Sequence, residues 1–217
     1  MSEKIKTINE NEESYVPKNA EDIITVGRDL YSHGWLYATS GNLSTVLEDY
    51  PLEIAITASG AHKGKMDESD ILIVDSEGKP KSGDGKPSAE TLLHLSVVKS
   101  TGAGSVIHTH SVWSVALSRK FSADGFIRLN GYEMLKALDG IKTHQTEEKI
   151  PIFENTQDMA ALSGLVSSHL NEHPETHGFI LKGHGLYTWG NNLKEAARNV
   201  EAIEYLLEVK GREISIS

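Results

Sequence analysis

Apolar positions recur along the chain at two spacings, and these predict most of its elements. Over 20–33, Ile23, Val26 and Leu30 fall on one helical face, Asn19 is placed to cap, Glu21 and Asp22 occupy the first turn, and Gly34 ends the run. The same spacing predicts helices over 89–99, 112–119, 157–170 and 193–210, with a short helical segment over 131–138. In the last long helix Ala196, Val200, Ile203 and Leu207 share a side, while Glu195, Arg198, Glu201 and Glu204 read as a solvated face. Short apolar runs between Gly, Ser and Pro predict strands over 43–47, 53–57, 71–74, 105–109, 150–153, 177–182 and 186–189. Residues 77–86 read as a loop. Strands interleaved with helices give a layered α/β domain. Several gaps between strands are too short for parallel crossovers, so a mixed or mainly antiparallel sheet is expected.

The chain has 217 residues, which predicts one domain over 20–217 preceded by a polar, flexible arm at 1–19. That N-terminus lacks the apolar stretch of a signal peptide, and no run reaches membrane-spanning length, so a cytoplasmic protein is expected. Acidic residues outnumber basic ones by 31 to 21, a net charge of -10 that argues against nucleic-acid and membrane partners. With no Cys, disulfides, thiolate metal sites and a Cys nucleophile are excluded. Any transition metal must then sit on His nitrogens and carboxylate oxygens.

The most chemical stretch is His108-Thr109-His110. In a strand, residues i and i+2 share a face about 6.6 Å apart, close enough for two imidazoles to converge on one ion. Ten His in this chain give roughly 0.5 such pairs by chance, so the motif needs a third ligand. His184 is the best candidate, because Gly183 and Gly185 let its backbone approach a ligand closely. His169 and His173, at i,i+4 spacing, form a competing pair in a polar helix end where solvated His are expected.

Three turns of small residues recur in the first half: Thr39-Ser40-Gly41-Asn42, Ala58-Ser59-Gly60 and Lys86-Pro87-Ser88-Ala89. Each offers backbone N–H groups and hydroxyls, and Ser88 is placed to cap the helix beginning at Ala89. Singly each is an ordinary turn; together, with Lys63 or Lys86, they make an anion pocket. Glu90 and Glu133 each stand at a short helix start among apolar neighbours, as acid/base candidates.

In order and spacing, Gly34-Trp35…Ala38-Thr39-Ser40-Gly41-Asn42-Leu43-Ser44, Ala58-Ser59-Gly60, Pro87-Ser88-Ala89-Glu90, His108-Thr109-His110 and Gly183-His184-Gly185 resemble the class II aldolase/adducin family. The resemblance runs from about residue 20 to 211. It implies a three-layer fold with a central, mainly antiparallel sheet flanked by helices. It also implies one zinc ion per subunit on His108, His110 and His184, with a substrate phosphate held by Gly41, Asn42, Ser59, Gly60, Lys63 and Ser88. The stretches Ser59-Gly60-x-x-Lys63-Gly64, Gly131-Tyr132-Glu133-Met134 and Ile152-x-Glu154-Asn155-Thr156 resemble the branch that dehydrates 5-methylthioribulose 1-phosphate in methionine salvage. That branch implies Glu133 as the acid/base, desolvated against Tyr132 and Met134 with a raised pKa. Glu90 holds the position that serves as acid/base or fourth ligand in the sugar-phosphate aldolases. A zinc-dependent aldolase or epimerase is the second reading, disfavoured because no Tyr follows Tyr205 in the tail. An adducin-type binding module is the third, and the complete His set argues against it. The family further implies a homotetramer with sites near subunit interfaces.

Overall fold

The computed structural model describes residues 19–83 and 85–216. The expected N-terminal arm, apart from Asn19, lies outside the described residues. Among the described residues nine strands form one sheet: β1 (Asn42–Asp49), β2 (Leu52–Thr57), β3 (Ile71–Asp75), β4 (Pro80–Ser82), β5 (Ser105–Thr109), β6 (Phe126–Asn130), β7 (Glu147–Phe153), β8 (Gly178–Leu181) and β9 (Gly185–Gly190). Their order across the sheet is β4-β3-β2-β1-β5-β9-β8-β7-β6. Among the described residues every pair is antiparallel except β7 with β8, and those two are joined by a helical crossover, the connection a parallel pair requires.

Five helices cover the two faces: α1 (Ala20–Ser32), α2 (Thr91–Thr101), α3 (Val112–Lys120), α4 (Met159–Glu172) and α5 (Leu193–Ile216). On one side α2 and α4 pack together over Val106, Phe179, Leu181 and Tyr187. On the other, α1 and the first half of α5 cover Leu43, Ile54, Ile56 and Ile107, and α3 with the rest of α5 covers Ile127, Leu129, Ile150 and Ile180. Successive residues of β5 therefore belong to opposite layers, Val106 to the first and Ile107 to the second, as strand alternation demands.

Five elements depart from the sequence reading. β6 runs through Phe126-Ile127-Arg128-Leu129-Asn130, whose in-out alternation matches its place as the edge strand beside β7. β4 lies inside the expected loop; its three residues, led by a Pro, pair only with β3. The segment 131–138 holds a short 3-10 helix, Glu133–Ala137. α2 begins at Thr91, so Ser88 caps the turn before it, its Oγ accepting from the Glu90 N–H at 3.2 Å. Asn19 contributes to α1 through its carbonyl, which accepts from Ile23 N at 3.1 Å, and not through its side chain.

Candidate metal centre

β5 carries His108 at full burial on the α2 side of the sheet, stacked on the Tyr187 ring with centroids 3.9 Å apart. His110 follows the strand, its N–H donating to Trp35 O at 2.8 Å. His184 sits in the β8–β9 turn and donates its N–H to Leu181 O at 3.0 Å. Two glycines permit the approach of these segments. A side chain at Gly185 would meet Thr109 O at 1.9 Å, and one at Gly41, whose φ is +69°, would meet His108 O at 2.6 Å.

The three imidazoles converge. His110 Nε2 lies 2.8 Å from His108 Nε2, which lies 3.4 Å from His184 Nε2. Among the described residues this is the one His/Asp/Glu/Cys group gathered tightly enough for an ion, each member's ligand atom within 4.8 Å of the others. Burial pushes the pKa of His108 well down and that of His110 to about 4, so both rings are neutral at pH 7. His108 Nδ1–H donates to Leu186 O at 2.9 Å, which leaves an unshared pair on Nε2. Neutral ring nitrogens this close cannot all be bonded to one another. A zinc ion at about 2.0–2.1 Å from each would set them roughly 3.3 Å apart, close to the observed spacing. The donor set therefore fits zinc.

Glu90, just before α2, completes the cluster, with Oε1 3.0 Å from His184 Nε2 and Oε2 3.6 Å from His108 Nε2. Burial disfavours its charge, but His184, His108 and an Asn42 hydrogen bond outweigh that and hold the carboxyl far below the usual carboxylate range. Asn42 donates from Nδ2 to Glu90 Oε2 at 2.7 Å and to Ser88 Oγ at 3.0 Å. Its Oδ1 accepts from His94 Nε2. Burial pushes the His94 pKa to about 4, so His94 is neutral, and its Nδ1 accepts from Ser44 Oγ at 2.7 Å. The Asn42 side chain is thus engaged at both ends, by Glu90 and Ser88 on one side and His94 on the other.

A cavity of about 150 Å³ joins this cluster to the turns. Its walls are residues 39–42, 58–60, Lys63, Ser88, Glu90, His110 and His184, so the expected anion residues and two of the three imidazoles face one space. Lys63 is fully buried, with Nζ donating to Thr39 O at 3.0 Å and Ala61 O at 2.9 Å. Burial lowers its pKa to about 8, partly offset by Asp70 and Glu90, so it remains a cation at neutral pH. The buried hydroxyl of Ser40 has no protein partner. Sequence reasoning missed His94, although its position four residues after Glu90 on the same helical stretch was a signal.

Glu133 stands elsewhere. Its side chain is 69% exposed, paired with Lys136 at 2.5 Å and His144 at 3.4 Å. Those partners, Lys136 first, lower its pKa, whereas desolvation against Tyr132 and Met134 was expected to raise it. The reason is orientation: Glu133 opens onto a surface groove with Tyr132, Met134, Tyr205 and Val209, and it does not line the metal cavity of its own chain. The His169 and His173 rings do meet, tilted with centroids 4.7 Å apart, but His173 is exposed and paired with Glu175.

The sequence profile of the Class II Aldolase and Adducin N-terminal domain matches residues 21–210. The methylthioribulose-1-phosphate dehydratase of Hahella chejuensis is 44% identical over 189 residues, covering 87% of this chain and 90% of that one. The protein of the same name from Azotobacter vinelandii is 46% identical over 187 residues, covering 86% and 89%. Among solved structures, L-fuculose-1-phosphate aldolase of Thermus thermophilus superposes with a TM-score of 0.71 at 25% identity, covering 92% of this chain and 98% of that one.

Proposed function

We propose that this chain, which belongs to the class II aldolase and adducin family, is a hydro-lyase that dehydrates 5-methylthioribulose 1-phosphate to 2,3-diketo-5-methylthiopentyl 1-phosphate. The observation that carries the reading is the joining of the His108–His110–His184 cluster and Glu90 to a turn-lined cavity, in a chain 44% identical to a dehydratase of that substrate. A zinc ion on the three His supplies Lewis acidity toward the oxygens of the ketose when bound.

The chain's own residues divide the remaining work. The turn N–H groups at 40–42 and 59–60, the Ser59 and Ser88 hydroxyls and the Lys63 ammonium hold the phosphate at C1 and orient the carbons beyond it. Glu90, buried and ionised beside His184, takes the proton from C3. As the C3–C4 double bond forms, the C4–O bond breaks and its oxygen leaves as water with a proton from Glu133. The enol then takes a proton at C4 and gives up its C3 hydroxyl proton, yielding the diketone.

Because Glu133 is exposed in its own subunit, it serves the cavity of a neighbour, in a homotetramer whose sites lie near subunit interfaces. Docking there strips water from the carboxyl and raises its pKa toward that of a donor. The protein works in the cytoplasm, in methionine salvage; among the described residues no helix is long and apolar enough to cross a membrane.

Product analysis of the purified protein given 5-methylthioribulose 1-phosphate, with metal content measured on the same sample, tests this. The diketone and one zinc per chain are expected. Cleavage into two carbonyl fragments would replace dehydration with aldol chemistry, and a metal-free, inert protein would leave a binding module.

A further inference from the structure

The last helix was expected to solvate Glu204, yet this residue is 2% exposed, between Ile203 and the buried pair Leu206 and Leu207. Burial pushes its pKa up to about 7, with Ser111 and Thr109 hydrogen bonds opposing. Thr109 Oγ1 donates to Glu204 Oε1 at 2.5 Å, and Ser111, whose hydroxyl caps α3 by accepting from Ser114 N at 3.0 Å, lies close enough to the same carboxyl to oppose the shift. Its other oxygen has no protein partner. A carboxyl in apolar surroundings is costly to keep, so its two contacts have to return something.

Those contacts fall on particular residues. Thr109 separates His108 from His110, and Ser111 follows His110. Strand alternation sends Thr109 to the α5 side of the sheet while His108 faces the α2 side. Glu204 therefore grips, from the far face, the residues that alternate with two of the cluster's imidazoles. The same grip joins the end of β5 to the start of α3, the segment on which His110 is carried without a ladder of its own.

We infer that Glu204 is a positioning residue, which fixes the His108–His110 pair in metal-binding register through Thr109 and Ser111. This rests on the reading of the three His as zinc ligands. It assigns Glu204 to metal affinity and not to proton transfer, because the sheet stands between its carboxyl and the cavity.

The test is zinc affinity of the full-length protein, by competition with a chromophoric chelator, alongside the visible spectrum of the cobalt-substituted form. Glu204→Leu and Thr109→Val should each weaken zinc binding about 10–100-fold and alter the cobalt bands. Glu204→Gln, which keeps an acceptor for Thr109, should stay within about threefold of the wild type. The double variant Thr109→Val/Glu204→Leu should bind no more weakly than the weaker single one, since both remove the Thr109–Glu204 bond. Wild-type affinity in Glu204→Leu with only a lowered Tm would overturn the inference; should that variant not fold, wild-type affinity in the near-isosteric Thr109→Val overturns it equally. His108→Ala separates the two levels. Zinc lost there but unchanged in the Glu204 and Thr109 variants refutes the positioning role alone, while zinc retained there removes the ligand reading beneath it.

Discussion

Asn42 donates from Nδ2 to Oε2 of Glu90 at 2.7 Å, and its Oδ1 is held by His94. The ionised Glu90 carboxylate can only accept, which turns the Asn42 NH2 toward it and Oδ1 toward His94; the neutral His94 ring then donates from Nε2 and accepts from Ser44 Oγ at Nδ1. A donor is thereby fixed on the carboxylate proposed to take the C3 proton. Asn42→Asp replaces it with a second negative group. Steady-state kinetics should show kcat reduced about 10–100-fold with the fold intact by circular dichroism. An Asn42→Asp enzyme of normal kcat would remove Asn42 from this role.

The part of this arrangement that was legible in the sequence is what local pattern encodes. His108-x-His110 at a strand end, the Gly-flanked His184 and the three small-residue turns can each be found by spacing, because strand alternation and turn chemistry are short-range. The antiparallel sheet followed from gap lengths for the same reason. β6 went unread because alternation over only Phe126–Asn130 is brief and carries an Arg, and β4 because its edge position asks little of its side chains. Glu204 was misjudged, and the side-chain partners of Asn42 went unread, for a different cause. Whether a polar group is solvated or gripped depends on partners 95 residues away for Glu204 and 52 for Asn42, which no local window contains.

The ligand assignment predicts a pattern of metal loss. His108→Ala, His110→Ala and His184→Ala should each lose most bound zinc, measured by atomic absorption after gel filtration. His169→Ala, from the tilted ring pair that lies outside the cavity, should keep it. Stoichiometric zinc in His184→Ala would break the three-His set.

The anion pocket predicts a split between KM and kcat. Lys63→Met removes the buried cation that also ties Thr39 to Ala61, so KM should rise at least about tenfold and kcat fall less. Ser59→Ala should raise KM severalfold, and the unphosphorylated sugar should be a very poor substrate. Because the Lys63 pKa is lowered to about 8, its charge is present below that value and lost above it. KM should accordingly rise as pH passes about 8 in the wild type, and Lys63→Met should abolish that rise. A flat KM–pH profile in the wild type counts against a charged Lys63 in the pocket.

The half-buried His177 pairs with the buried Glu148 at 3.1 Å at the far end of the sheet. Burial alone would lower the His177 pKa, but Glu148 and the Asp139 carbonyl outweigh it and raise the value. A His whose folded pKa lies above its unfolded one stabilises the fold fully below about pH 6.5, and that stability fades as pH rises through the folded value. Urea unfolding of wild type and His177→Gln should therefore show a gap of about 1–3 kcal/mol at pH 6 that narrows by pH 9. A gap that widens with pH would reverse the assigned charge state.

The placement of Glu133 makes the strongest demand on assembly. In its own chain the carboxyl meets Lys136 and His144 on the surface, and the metal cavity is lined by other residues. If it delivers the proton to the departing C4 hydroxyl, Glu133→Gln should lower kcat by about 10²–10⁴ while zinc content stays at the wild-type level, because the variant keeps shape and hydrogen bonding but has no proton to give. That result alone does not say whose cavity Glu133 serves. Co-assembly does. Glu133→Gln chains retain an intact metal cluster, and His184→Ala chains retain an intact Glu133, so each homo-oligomer is inactive. In mixed oligomers a Glu133 from the second chain can meet the cavity of the first, and random assembly at equal amounts should restore roughly a quarter of the sites. Activity should appear on co-expression of differently tagged chains and co-purify with both tags. Hybrids as inactive as their parents would confine Glu133 to its own subunit, where it does not line the cavity, and Glu90 would then have to serve both steps.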